Sequence, residues 1–254
     1  MLGRIMADGE VAKALISVLE RISAASIARS QDVVSLCSKP RLVAVSKTKP
    51  KQMIIEAYNA GQRHFGENYI QELVEKSNDE KIQSSCPDIR WHMIGPIQSN
   101  KVKKIIESPN LYCIETVHNA KLATTINNAV KKLLGDKKLK VYLQVNTSGE
   151  ENKSGISPDK VGELATHVVE TCSNLELLGL MTIGAFDHDL SKGPNPDFQT
   201  LLKCRAGVCE TLCKEPQDLE LSMGMSNDFE HAILVGSSNV RVGSTIFGAR
   251  EYKK

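Results

Sequence analysis

Lys47 closes the run Leu42-Val43-Ala44-Val45-Ser46-Lys47, where strand alternation puts Val43, Val45 and Lys47 on one face. If that face lines the inside of a barrel, the amine emerges at the top of an apolar core. Burial and the like charge of Lys49 would both favour a neutral amine, the form that attacks an aldehyde to make a Schiff base. A solvent-facing lysine just past a strand end is the plainer reading of the same pattern. A second cluster, Asn239-Val240-Arg241-Val242-Gly243-Ser244-Thr245-Ile246-Phe247-Gly248, places Arg241 and Gly243 on a common face. Glycine there admits close approach, and backbone N–H groups with the Ser244 hydroxyl suit an anion such as phosphate. Upstream, Ser222-Met223-Gly224-Met225-Ser226-Asn227-Asp228 offers Ser226 as a hydroxyl and a helix start to the same anion, or as a helix cap alone.

Other polar residues fall at expected strand ends: Glu67-Asn68, His92 and Asn146. Each is able to line the mouth of a barrel; the first pair and Asn146 also suit helix caps, and His92 suits a hydrogen-bonded core histidine. No Ser-His-Asp set follows from the spacing. Gly149-Glu150-Glu151-Asn152-Lys153-Ser154 fails as a phosphate loop, because Asn152 stands where a glycine must precede the lysine. Cys204, Cys209 and Cys213 share an expected helix, but no histidine lies at ligand spacing, so buried or half-buried thiols are expected and no metal.

These residues need elements to position them, and composition bounds which. The chain has 254 residues, 32 Lys and Arg against 30 Asp and Glu, and a net charge of +2. Such a balance gives no general reason to bind nucleic acid or an acidic membrane. With aromatics at 4%, the lysines at 131, 132, 137, 138 and 140 have no interleaved rings to stack bases and read as a solvated helix end. The longest mostly apolar run, Leu177 to Phe186, is about half of the roughly 20 residues of a membrane span. Seven cysteines, an odd number with no C-x-x-C pair and no secretory leader before them, suit reduced thiols in the cytoplasm.

Short aliphatic runs at 41–46, 64–66, 91–94, 112–116, 140–146, 177–183, 219–223 and 239–242 read as strands, apolar on both faces. Helical stretches at 51–60, 68–77, 99–107, 119–133, 158–171, 196–213 and 227–234 alternate with them, several opened by cap residues including Asn68, Ser157-Pro158 and Ser226. Eight βα units in about 250 residues match a (β/α)8 TIM barrel, an α/β fold with its ligand site at the C-terminal ends of the strands. A doubly wound sheet would need G-x-G-x-x-G after its first strand, and Ser46-Lys47-Thr48-Lys49-Pro50 lacks it. Residues 1–40 form an N-terminal helical extension, with a helix from Val11 to Arg29 packed where an eighth outer helix belongs, and 41–254 form the barrel. With no long uncovered apolar helix or edge strand in the pattern, a monomer is expected.

The segments Leu42 to Pro50, Phe65-Gly66-Glu67-Asn68-Tyr69, Trp91-His92-Met93-Ile94-Gly95, Gly179 to Gly184, Leu221 to Ser226 and Arg241 to Gly248 together resemble the pyridoxal phosphate homeostasis protein family. The resemblance runs in order over about residues 41 to 250. Some relatives carry Gly-His where this sequence has Gly95-Pro96. The resemblance implies a single barrel similar to the N-terminal domain of alanine racemase, holding pyridoxal 5′-phosphate as an internal aldimine on Lys47. It further implies Arg241 at the pyridine nitrogen, Ser226, Gly243 and Ser244 around the phosphate, and Asn68 and Met181 lining the pocket. Apo-enzymes that use this cofactor become the partners to consider.

An arginine at the pyridine nitrogen disfavours its protonation and weakens the electron sink, and a racemase needs an acid or base on each face of the carbanion. Lys47 serves one face. The family resemblance therefore implies a carrier and regulator of pyridoxal phosphate without turnover. A racemase or lyase acting on amino acids would require a second base such as His92 or Tyr69. A Schiff-base aldolase using the same lysine on a sugar phosphate would be colourless as isolated.

Overall fold

The residues described are 9–150, 153–185, 188–189 and 193–249 of a computed structural model. Helix α1 (Glu10–Ile27) buries Val11, Leu15, Val18 and Ile22 along one side, as the spacing of its apolar residues requires. A short helix α2 (Gln31–Ser35) follows, and strands then alternate with helices. The order is β1 (Arg41–Val45), α3 (Lys51–Asn59), β2 (His64–Glu67), α4 (Ile70–Ser77), α5 (Glu80–Ser85), β3 (Arg90–Met93), α6 (Val102–Ile106), β4 (Leu111–Val117), α7 (Ala120–Leu134) and β5 (Leu139–Gln144). It continues with α8 (Val161–Thr171), β6 (Leu175–Met181), α9 (Pro196–Leu212), β7 (Glu220–Ser222), α10 (Phe229–Leu234), β8 (Asn239–Val242) and α11 (Ser244–Phe247).

All eight strands pair in parallel in sequence order, and β8 returns to β1 to close the barrel. The closing register sets Val43 opposite Arg241 and Ala44 opposite Val242. Alternate strand residues, such as Leu42, Ala44, Phe65, Ile114, Val141 and Leu143, face outward into one continuous apolar layer with the helices. Helix α1 packs against α3, α10 and α11, the position an eighth outer helix would take, since β8 is followed by the single turn of α11. Among the described residues, no helix is long and apolar enough to cross a membrane. All seven cysteines are free; on α9, burial pushes the Cys204 and Cys209 thiols up, and Cys213 beyond it is exposed.

Three expectations are corrected, and two helices fall outside the expected elements. Helices α2 and α5, of five and six residues, are too short to show a helical period, although Asp79 announces α5 by accepting the N–H groups of Lys81 and Ile82. Helix α4 starts at Ile70 behind Tyr69, so Asn68 is not its cap. Helix α10 starts at Phe229 behind Asp228, so Ser226 is neither its cap nor its first residue. The strands are not apolar on both faces: His92, Glu115, Ser222, Asn239 and Arg241 are all buried polar groups, where a barrel interior is ordinarily filled by branched aliphatic side chains.

Candidate functional site

Beyond β1 the chain turns through Ser46-Lys47-Thr48-Lys49, with Thr48 at φ 62°, a left-handed conformation that threonine seldom adopts. Surrounding bonds fix this turn. The Ser46 N–H donates to Gly66 O at 3.0 Å and its hydroxyl to Glu67 Oε1 at 2.7 Å. Lys76 Nζ donates to Ser46 O at 2.9 Å, to Glu67 Oε1 at 2.8 Å and to Glu72 Oε2 at 2.7 Å. Glu72 Oε2 also accepts the Thr48 N–H at 2.7 Å. Lys47 thus rides on a segment tied down on both sides, which is how a strained backbone persists. Burial raises the Glu67 carboxyl to about 7 against the opposing pull of Lys76 and Ser46, and its Oε2 has no hydrogen-bond partner.

The end of β8 meets this turn from the other side. A Cβ on Gly243 would lie 3.2 Å from Val45 O, so a small residue lets the two strand ends approach. The Gly243 N–H donates to Ser226 Oγ at 3.2 Å, which joins the loops after β7 and β8. Asp228 shapes the β7 loop by accepting the Met225 N–H on Oδ1 at 2.6 Å, and burial raises its carboxyl. Gly95 fixes Asn68: a Cβ there would stand 1.9 Å from Asn68 O, so the turns after β2 and β3 touch only because position 95 has no side chain.

These ends surround a cavity of about 290 Å³ at the C-terminal mouth of the barrel. Lys47, Asn68, Met181, Ser226, Arg241, Gly243 and Ser244, the residues singled out in the sequence, all line it. Lys49 and Asp228 add one charge of each sign, and Val45, Ile94 and Ile183 supply apolar wall. Ile94 and Ile183 were not singled out, though the period of two carried past the ends of β3 and β6 reaches both. Arg241, 4% exposed, donates from Nη2 to Thr182 O at 2.7 Å and from Nη1 to Ser222 Oγ. Lys49 Nζ donates to Ala249 O at 2.6 Å.

The other strand-end candidates lie elsewhere. Glu67 turns outward to Lys76, and Asn146 donates to Glu150 O within its own loop. His92 is fully buried below the cavity with its Nδ1 at 2.6 Å from Glu115. Tyr69 is 52% exposed and borders a neighbouring groove instead. Of the rejected phosphate loop, residues 151–152 lie outside the described residues, while Lys153 Nζ ties Glu150 to Gly184 O. Cations on three sides, two hydroxyls and apolar walls suit a small flat anion whose carbonyl reaches Lys47.

The family model described as the alanine racemase N-terminal domain matches residues 23–251. A pyridoxal phosphate homeostasis protein of Bos taurus is 52% identical over 99% of this chain and 92% of its own. The solved structure of PipY from Synechococcus elongatus PCC7942 with PLP bound is 30% identical, with a TM-score of 0.72 over 94% of this chain and 100% of PipY. An alanine racemase from Clostridium difficile shares the fold at 14% identity and a TM-score of 0.65, over 95% of this chain and 57% of the racemase. The family match over residues 23–251 and the 52% identity over nearly the full length of both chains show that the chain belongs to the pyridoxal phosphate homeostasis protein family.

Proposed function

We propose that the protein holds pyridoxal 5′-phosphate in the barrel mouth and acts in the cytoplasm as a carrier and regulator of that cofactor, without turnover of its own. The observation that carries this reading is the convergence of the seven expected site residues on one cavity of about 290 Å³. The donor set fits the group. Lys47 offers the amine, Ser226 and Ser244 offer hydroxyls beside the glycine at 243, and Val45, Ile94, Met181 and Ile183 can pack against a pyridine ring. Bound there, the cofactor would offer an aldehyde to the Lys47 amine and an electron sink. Arg241 is the group assigned to the ring nitrogen, and Asn68 lines the same mouth. PipY, a relative with the same barrel, has been solved with PLP bound.

A carrier rather than an enzyme is favoured by where the candidate second bases fall. His92 is sealed beneath the cavity, and Tyr69 is turned into the neighbouring groove. Partners are then apo-enzymes that take the cofactor, and the protein itself is a monomer.

The test is the visible spectrum of the purified protein on addition of pyridoxal phosphate, followed by borohydride reduction and peptide mapping. A band near that of an imine, ending as a reduced adduct on Lys47 and absent from Lys47→Ala, is the expected result. No band, or label scattered over surface lysines, overturns the carrier reading. Steady amino-acid turnover by the loaded protein would favour a racemase or lyase instead.

A further inference from the structure

The cavity floor rests on a chain of buried polar groups that runs down the inside of the barrel. Glu115, in β4, is fully buried and accepts on both oxygens. Oε1 accepts from His92 Nδ1 at 2.6 Å and Asn239 Nδ2 at 3.1 Å, and Oε2 accepts from Ser222 Oγ at 2.5 Å. Ser222 Oγ in turn accepts from Arg241 Nη1 and from Asn239 Nδ2 at 3.0 Å. Arg241 Nη1 lies 4.0 Å from Glu115 Oε2, so the serine bridges a buried ion pair.

The same chain continues toward the opposite end of the barrel with one sense of donation. Arg90 Nη1 is 3.4 Å from His64 Nε2, and a guanidinium only donates, so that nitrogen accepts. His64 is held neutral, its pKa lowered to about 2 above all by burial, with the charges of Arg41, Arg90 and Lys140 acting in the same direction. Its single proton therefore sits on Nδ1 and points at His92 Nε2, 2.8 Å away. His92 must then donate from Nδ1 to Glu115. Burial works to raise the Glu115 carboxyl, but His92, Arg241 and Ser222 outweigh it and hold the group below its ordinary value. Donors from both ends of the barrel converge on one carboxylate, and a buried charge so surrounded fixes the geometry of whatever it pairs with.

We propose that Glu115 is a positioning residue for the cofactor site: acting through Ser222, it anchors Arg241 Nη1 inside the barrel, offsets the guanidinium charge, and thereby sets how Arg241 meets the ring nitrogen of the ligand. The identity of the ligand rests on the pyridoxal phosphate reading above; the pose of Arg241 does not.

Two measurements on Glu115→Gln, Ser222→Ala and the control Glu220→Gln test this. Glu220 pairs with Arg41 inside the same barrel, at 2.6 Å, and touches neither Ser222 nor Arg241 in the bonds above. In ligand-free crystal structures, Glu115→Gln and Ser222→Ala should each move the Arg241 guanidinium off its place between Ser222 and Thr182, while Glu220→Gln leaves it in place. Titration with pyridoxal phosphate should show affinity weakened by about tenfold or more in the first two, the usual weight of a charged hydrogen bond. Their absorption maximum should also shift, with the reduced adduct still on Lys47. A guanidinium in its original place together with wild-type affinity and spectrum in a folded Glu115→Gln or Ser222→Ala overturns the proposal. If Glu115→Gln does not fold, Ser222→Ala decides, since it removes the bridge and keeps both charges. A wild-type protein that forms no Lys47 adduct would sink the cofactor reading alone, and the ligand-free structures would still decide the pose of Arg241.

Discussion

Glu67 ends β2 with one oxygen shared by Ser46 and Lys76 and the other without a partner. Its carboxyl is raised from 4.5 to about 7, so the folded chain keeps a proton that the unfolded chain releases. The stability this proton contributes is complete below pH 4.5 and is lost as the pH rises to about 7, an effect worth roughly 3 kcal/mol. Glu67→Gln, which stays neutral, should gain on wild type between pH 5 and pH 8 in urea unfolding; a constant difference across that range would refute the assignment. Residues of this kind divide by how much of their environment alternation reveals. Lys47, Arg241 and Gly243 were legible because strand parity and strand ends are local properties. Ser226 and Asn68 were legible as site residues, yet the helix-cap positions read for them are occupied by Asp228 and Tyr69, neither of which caps with its side chain. Glu115 was not legible at all, because the sequence Cys113-Ile114-Glu115-Thr116 does not say which face of β4 looks inward.

At the scale of elements, the mouth is assembled by turns that touch one another rather than by the strands alone. The β3 turn at Gly95 supports the β2 turn at Asn68 through a contact any Cβ would block at 1.9 Å. Gly95→Ala should therefore destabilise the fold by about 1–3 kcal/mol and weaken pyridoxal phosphate binding, with the Lys47 adduct still formed; unfolding curves and a cofactor titration check this. Retained affinity would show that the Asn68 turn can move without cost to the site. The alternation of strands and helices was readable from periodicity, which needs ten or so residues to declare itself. The one-turn helices between longer elements lie below that length, and tertiary packing rather than local pattern decides them.

The whole molecule depends on α1 for the outer layer its own barrel repeat does not complete. Leu15 and Val18 on that helix are fully buried against the layer. Leu15→Ala should cost about 2–5 kcal/mol, read as a lower urea midpoint in a single transition with the slope unchanged. A separate early transition would instead mark α1 as an independent unit. The barrel as a class followed from eight repeats in the sequence, whereas its polar interior followed from nothing local, since the buried partners are spread over β3, β4, β7 and β8.

The seam where β8 pairs with β1 brings Val43 opposite Arg241, and the lysine turn faces the glycine-serine turn just beyond it. Chain segments almost two hundred residues apart must meet before that mouth exists, which places its formation among the slowest and most non-local events of folding. A ligand captured there is held only by molecules whose winding is finished. Occupancy of the mouth is thus a signature of completed chains, and saturating cofactor protects the closed ring ahead of any partly wound intermediate.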